Sequence, residues 1–326
     1  MKVFVTGASG LIGRWTCDLL RQRGHDVLGT DIRPKPDGAR DWAFEECDLL
    51  DSAKLAALMM SYEPVNVIHL AAKTDLDGRS LADYSVNITG VSNLLRAVEA
   101  TPSITRAVYT SSQLVCKVGY VPSRNDEYLP STVYGESKVE TEKLVRVKNG
   151  GGVSWCLVRP TTVWGPHMSD HYRSLLYHIE KGTYFHSGSG ALCKSYSYVG
   201  NIAYQYMRLL EADCEAVDGR VFYLADYVPL SLRDYVNALA RELGVRQPVT
   251  LPLPLARLLA LIGDGLGAAK LPSPYNSFRL NNIRTEYIFD VGPTEAVCGA
   301  LPFTFEDGVK ATVAWHRAAP RVIAGR

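Results

Sequence analysis

Hydrophobic and polar positions along this chain follow a repeating order. A short apolar run comes first, then a turn, then a longer segment with apolar residues three and four apart. Lys2-Val3-Phe4-Val5-Thr6 reads as a buried strand. From Leu11 to Arg21 the residues Leu11, Ile12, Trp15, Leu19 and Leu20 fall near helical spacing, and Gly24 closes the segment. The same alternation predicts strands over 27–30, 42–47, 65–72, 107–112 and 153–158, and helices over 53–60, 83–100 and 133–148. Strands alternating with helices in this way predict an α/β fold with a doubly wound parallel sheet over residues 1–165. A helix at 201–211 and a strand at 221–225 are expected to return to that sheet, within 199–226. Residues 166–198 and 227–326 are expected to form mainly a smaller C-terminal lobe, with helices at 232–243 and 309–315. Aromatics, histidines and glycines crowd between His167 and Tyr198, which suits a substrate-facing segment.

The first turn, Gly7-Ala8-Ser9-Gly10-Leu11-Ile12-Gly13, carries the strongest chemical signal. A strand, a glycine turn and a helix aim backbone N–H groups and a positive helix end at a phosphate. Gly7 permits the tight turn, Gly10 lets the backbone approach a pyrophosphate, and Gly13 lets the helix sit close on the sheet. Alone, the turn is equally a strand–helix connection without a ligand. Asp31, 18 residues after Gly13 at the end of the second strand, adds a ribose-binding carboxylate and predicts NAD rather than NADP. Arg33 stands two residues further on. Asp48-Leu49 reads either as the flank of an adenine ring or as part of a helix N-terminus opened by Asp51-Ser52. Ala71, Ala72 and Lys73 form the end of the fourth expected strand, at the sheet edge where ligands bind in this architecture.

Composition narrows the class. A length of 326 residues holds a large α/β unit and a lobe, and 47% apolar residues with net charge +1 exclude disorder and a nucleic-acid-binding surface. The N-terminus runs straight into a strand, so no signal peptide is expected. The most apolar stretch, 251–266, is interrupted by Pro252, Pro254, Arg257 and Asp264, so neither a membrane span nor a membrane partner is expected. Seven cysteines without a CxxC pair fit reduced thiols in a cytoplasmic protein.

The expected catalytic element is Tyr134 with Lys138, four apart and so on one helical face. A phenol titrates near 10, and a fixed ammonium beside it favours the phenolate. A drop of about 3 units takes roughly 4 kcal/mol, within reach of a partly desolvated cleft. Ser112 would hold the reacting oxygen and stabilise charge developing on it. The spacing recurs at Tyr177 and Lys181, but only Tyr134 follows a strand that ends in hydroxyl residues. His167, Asp170, His171 and His178 read either as metal ligands on a helix or, as favoured here, as a polar substrate loop, so no metal is expected. Arg279 and Arg284 read as diphosphate ligands or as solvated surface.

Taken together, GASGLIG, Asp31, HLAAK at 69–73, Asn87, Ser111-Ser112, YGESK at 134–138 and RPTTVWGP at 159–166 resemble the extended short-chain dehydrogenase/reductase superfamily, in its NAD-dependent epimerase/dehydratase branch. The resemblance covers nearly the whole chain and implies a Rossmann-type domain with a substrate-binding lobe. It implies coenzyme contacts from Gly7, Gly10, Leu11, Ile12, Asp31, Asp48, Leu49, Ala71, Ala72, Lys73, Tyr134, Lys138 and Pro160, with Asn87 touching the coenzyme or buttressing the site. It implies catalysis by Ser112, Tyr134 and Lys138, and substrate contacts from Thr74, Ser112, Gln113, Thr162, Lys194 and Arg279. Family dehydratases and decarboxylases carry an acid after the catalytic hydroxyl residue, whereas this chain has Gln113 and Leu114, so those reactions are not expected. Thr162 and Lys194 stand where many members have a substrate-binding asparagine and a phosphate-binding arginine.

The expected activity is therefore that of an NAD-dependent nucleotide-sugar 4-epimerase acting on a UDP-, GDP- or dTDP-sugar. The alternatives are a dehydrogenase or ketoreductase on a sugar nucleotide or a 3β-hydroxysteroid-like alcohol, and an NAD-binding regulator that has lost catalysis. By analogy with the family, a homodimer through the helices near 83–100 and 133–148 is expected.

Overall fold

The computed structural model describes residues 1–190, 192–268, 271 and 275–319. The chain divides into two compact units: Met1–Val163 with Ser197–Tyr227 and Phe289–Pro302, and Trp164–Tyr196 with Val228–Ile288 and Phe303–Arg326.

The first unit is built on seven parallel strands. Six are β1 (Lys2–Thr6), β2 (Asp26–Asp31), β3 (Ala43–Glu46), β4 (Asn66–His69), β5 (Arg106–Thr110) and β6 (Ser154–Pro160). The seventh, Arg220–Leu224, lies beside β6, and the spatial order from there is β6, β5, β4, β1, β2, β3. Strand order reverses between β1 and β4, so the crevice at their carboxyl ends is the binding position of such a sheet. Both faces are covered, which is why the strands read as continuous apolar runs. Val3 and Val5 pack with Leu20, Ile68 and Val158 on one face, while Phe4 packs with Leu55, Val67 and Leu94 on the other.

Four helices position the site: α1 (Leu11–Gln22), α2 (Ser52–Tyr62), α3 (Val91–Glu99) and α4 (Val133–Val147). The expected helix over 83–100 is helical through Glu99 but changes pitch along its length. A 3₁₀ turn spans Leu81–Tyr84, a π turn spans Val86–Gly90, and α3 begins only at Val91. Fully buried Asn87 sits within the π turn; its side-chain amide bonds other elements, and its C=O accepts from Thr141 Oγ1 at 2.7 Å. The strand expected over 65–72 ends at His69: Leu70 N still donates to Thr6 O (3.1 Å) and shares Thr6 Oγ1 (3.2 Å), and Ala71 N turns to Thr6 Oγ1 (3.3 Å). Segment 289–302 belongs to the first unit. Phe289 stacks on Tyr223 with ring centroids 4.1 Å apart, and Thr294 Oγ1 donates to Tyr223 O at 2.7 Å.

In the second unit, Phe185–Ser187 pairs with Val249–Leu251 and Cys193–Lys194 with Leu230–Ser231. Helices Asp170–Glu180, Leu232–Leu243, Leu253–Ala268, Ser277–Ile283 and Phe305–Ala318 complete it. Its centre is aromatic: the Trp164 ring lies 4.8 Å from that of Tyr235 and 5.9 Å from that of Phe305.

Candidate active site

The glycine turn leaves β1 at Gly7, with φ +74°. A Cβ there would lie 2.5 Å from Ala71 N, and one at Gly13 would lie 2.1 Å from Gly7 O. Those two positions admit only glycine, because backbone meets backbone. At Gly10 the nearest atom to an added Cβ is Gly7 O at 3.2 Å, so a methyl group would project into the open cradle. Helix α1 starts at Gly10 with no side-chain cap and no acid in its first turn. Its leading N–H groups and positive end are thereby left for an anion, as a dinucleotide pyrophosphate requires.

Asp31 closes β2 and is 7% exposed. Its carboxylate accepts from Ser9 N (3.1 Å) and Arg33 N (3.0 Å), which fixes it beside the glycine turn. The Arg33 side chain reaches back to the same carboxylate at 3.4 Å and is mostly exposed. This cradle and its acid fit NAD. Asp48 is exposed and accepts from Leu50 N, Leu49 is buried in the core, and Asp51 is the residue that caps α2, accepting from Lys54 N at 3.0 Å.

Tyr134 and Lys138 lie on the buried face of α4, 7% and 2% exposed. Thr132 Oγ1 caps this helix by accepting from Gly135 N at 3.0 Å. Gly135 is required by close approach: a Cβ there would lie 2.3 Å from Leu114 O. That contact draws the first turn of α4 onto the 3₁₀ turn Gln113–Val115, whose cap is Ser112. Ser112 Oγ accepts from Leu114 N (3.1 Å), leaving its own O–H to donate. Lys138 Nζ donates to Thr110 O at 2.8 Å, and burial brings its pKa down to about 8. The ammonium is still charged at neutral pH, and the Glu142 carboxylate, one turn on, supports it.

Of the two readings open for Asn87, the geometry supports the buttress. Its Oδ1 accepts from Lys73 N (2.8 Å), and its Nδ2 donates to Lys73 O (3.0 Å) and Ser137 Oγ (2.9 Å). The sheet-edge loop carrying Ala71, Ala72 and Lys73 is thus tied to α4. Thr74, next in that loop, is exposed. Gln113 Nε2 donates to Thr162 Oγ1 at 3.4 Å, and Pro160 ends β6 in register with Leu224.

Lys194 and Arg279 belong to the second unit. Lys194 Nζ donates to Asn282 O (2.5 Å) and Oδ1 (2.8 Å), and desolvation lowers its pKa to about 8. Arg279 is exposed on helix Ser277–Ile283. The second Tyr/Lys pair is also there, with Lys181 Nζ 5.7 Å from the centre of the Tyr177 ring. Of the histidine group, His167 faces Trp315 at 5.7 Å and His178 Nδ1 pairs with Thr183 Oγ1 at 2.9 Å; the side chain of His171 lies outside the described residues. Among the described residues no three His, Cys, Asp or Glu side chains gather closely enough to hold a metal ion.

Three groups lie outside the sequence expectations. Fully buried Tyr84 sets its ring 6.1 Å from that of Tyr134 and donates to Asp75 O at 2.8 Å. Glu142 and Arg159, both fully buried, pair through Nε–Oε1 (2.7 Å) and Nη2–Oε2 (2.8 Å), locking α4 to β6. His69 Nδ1 bonds Thr6 Oγ1 at 2.8 Å, and burial beside Lys138 lowers its pKa to about 3. Glu142 continues the Tyr134/Lys138 spacing by another turn, and His69 and Arg159 open the HLAAK and RPTTVWGP motifs, but nothing local to the chain pairs them with their partners.

A Rossmann-type sheet, an uncapped glycine turn with the Asp31 carboxylate fixed beside it, and a Ser/Tyr/Lys set on neighbouring elements fit a coenzyme-dependent oxidoreductase of the extended short-chain type. Residues 3–225 match the NAD dependent epimerase/dehydratase family, and the chain belongs to it; NAD is its coenzyme. Among curated relatives, the 3-beta-hydroxysteroid dehydrogenase of Mycolicibacterium neoaurum is 28% identical over 264 residues, covering 76% of this chain and 71% of that protein. The N-acetyl-alpha-D-glucosaminyl-diphospho-ditrans,octacis-undecaprenol 4-epimerase of Escherichia coli O157:H7 is 25% identical over 277 residues, covering 82% of each chain. Among solved structures, Thermus thermophilus UDP-glucose 4-epimerase in complex with NAD superposes with a TM-score of 0.72 at 20% identity, covering 98% of this chain and 100% of that one.

Proposed function

We propose that the chain interconverts a secondary alcohol and its ketone on a largely apolar, 3β-hydroxysteroid-like substrate. Ser112, Tyr134 and Lys138 carry the reaction. Tyr134 takes the hydroxyl proton, Ser112 donates its O–H to the reacting oxygen, and the Lys138 ammonium stabilises the phenolate. NAD, when bound, accepts the hydride from the same carbon, so the alcohol is oxidised as the coenzyme is reduced. The observation that carries the reading is the polar set beyond the catalytic serine. Gln113 is turned to Thr162, no carboxylate follows Ser112, and the Lys194 ammonium is held by Asn282 rather than presented to a diphosphate. The missing carboxylate disfavours dehydration and decarboxylation, and the Lys194 contact with Asn282 disfavours a diphosphate substrate. The mycobacterial-type steroid dehydrogenase among the relatives supports the same substrate class.

A second reading, 4-epimerisation of a sugar carried on a diphosphate, has the Escherichia coli relative in its favour. The two differ in coenzyme balance. The dehydrogenase accumulates NADH in step with ketone from a hydroxysteroid panel when NAD is supplied. The epimerase converts UDP-, GDP-, dTDP- or polyprenyl-diphospho-sugars with no net NADH and no added coenzyme. Sugar turnover without NADH, together with an inert alcohol panel, overturns the first reading.

A further inference from the structure

We propose that the second unit docks on an anionic lipid surface through the outer face of helix Leu253–Ala268. This helix is packed inside out. Ala256 and Ala260 are fully buried and Gly263 is buried with them, while Leu253 and Leu259 are only half-buried, so the residues most enclosed by the unit are small ones. Leu255, Leu258, Leu261, Ile262 and Leu266 face outward, 38–63% exposed. At helical spacing these five fall on one arc of about 140°. Asp264 Oδ1 accepts from Ser277 N at 3.1 Å, which brings exposed Phe278 alongside, and Leu271 N donates to Leu266 O at 2.9 Å, which adds exposed Leu271. A contiguous apolar face of this kind marks an interaction surface rather than scattered leucines.

Charge selects the partner. The acid on this helix and on Ser277–Ile283 is Asp264, which is tied to the Ser277 N–H; the cations are Arg257 and Arg279, followed by Arg284. Arg257 and Arg284 also wall a cavity of about 390 Å³ between the two helices, with the polar side chains of Ser277 and Asn281. Leucines flanked by arginine donors match acyl chains beneath phosphate headgroups. A twofold-related second copy would instead bring the same arginines face to face. No helix among the described residues is long and apolar enough to cross a membrane, so the contact is in the plane of the interface. The expectation of no membrane partner rested on the lack of a span, and an in-plane helix needs none. This inference does not depend on the proposed substrate, because binding is read without turnover.

The test is flotation of the full chain with vesicles of phosphatidylcholine alone and of phosphatidylcholine with phosphatidylglycerol. The wild type is expected to bind the anionic vesicles about 10-fold better, and to lose that preference at high salt. Leu258→Ser/Ile262→Ser is expected to bind the anionic vesicles about 10-fold less, with far-UV circular dichroism and NAD affinity unchanged. Arg257→Gln is expected to reduce the anionic preference alone. Equal flotation of wild type and the double variant overturns the proposal. So does a wild-type oligomer that ignores vesicles and dissociates in the double variant, which assigns the face to a second copy.

Discussion

Replacing Glu142 with glutamine tests how the catalytic helix is held. The Glu142 carboxylate and Arg159 guanidinium are both fully buried and meet at 2.7 and 2.8 Å, and Tyr128 OH donates to Glu142 at 3.0 Å. Glutamine keeps the shape but removes the charge and turns an N–H₂ toward the guanidinium. Arg159 retains Tyr223 OH (2.9 Å) and Asn125 O (2.8 Å), so it stays partly satisfied but without a counter-charge. Removing one partner of a buried pair costs about 3–5 kcal/mol, and the surviving bonds place this case near 3. For a unit of this size that lowers Tm by roughly 6–12 °C. The assay is chemical and thermal denaturation of the wild type, Glu142→Gln, Glu142→Leu, Arg159→Met and the Glu142→Leu/Arg159→Met double variant, the last three closing a cycle with the wild type. The double variant is expected to lose far less than the summed single losses, because apolar residues of similar volume replace a buried pair at little net cost. Glu142 also supports the charge on Lys138, so Glu142→Gln is expected to move the alkaline limb of the rate profile below its wild-type position. A loss under about 1 kcal/mol, or strict additivity, would refute the reasoning.

Three further outcomes follow from the site. Tyr134→Phe is expected to lose at least about 100-fold in turnover with NAD affinity retained, and an unchanged rate removes Tyr134 from the mechanism. Gly10→Ala is expected to leave the melting temperature nearly unchanged but weaken NAD binding by calorimetry, whereas Gly13→Ala, with its Cβ 2.1 Å from Gly7 O, is expected to destabilise the fold itself; the opposite ranking contradicts the cradle. His69 titrates at about 3 when folded against 6.5 when unfolded, so below 6.5 the unfolded chain binds the extra proton. Stability is therefore expected to fall as pH drops from 6.5 toward 3, by about 1.4 kcal/mol per unit from this group, and His69→Leu is expected to flatten that slope in urea titrations.

Features confined to a few neighbouring residues were legible in the chain itself. The Gly7–Gly13 turn, the acid at Asp31, the Tyr134/Lys138 face and the strand–helix alternation all follow from local backbone geometry and side-chain period, which do not depend on distant partners. What holds these parts in place was decided only by tertiary structure. The Asn87 amide reaches Lys73 and Ser137, 14 and 50 residues away, from a π turn that helical periodicity does not signal. Thr6 meets His69 across 63 residues, Arg159 meets Glu142 across 17, and segment 289–302 packs onto the first unit through Tyr223. Periodicity marks a buried face without naming what covers it; only the order of strands in the sheet brings those partners together. For the same reason, the apolar stretch 251–266 does not show along the chain which of its residues are covered; folding buried Ala256, Ala260 and Gly263 and left Leu255, Leu258, Leu261, Ile262 and Leu266 exposed.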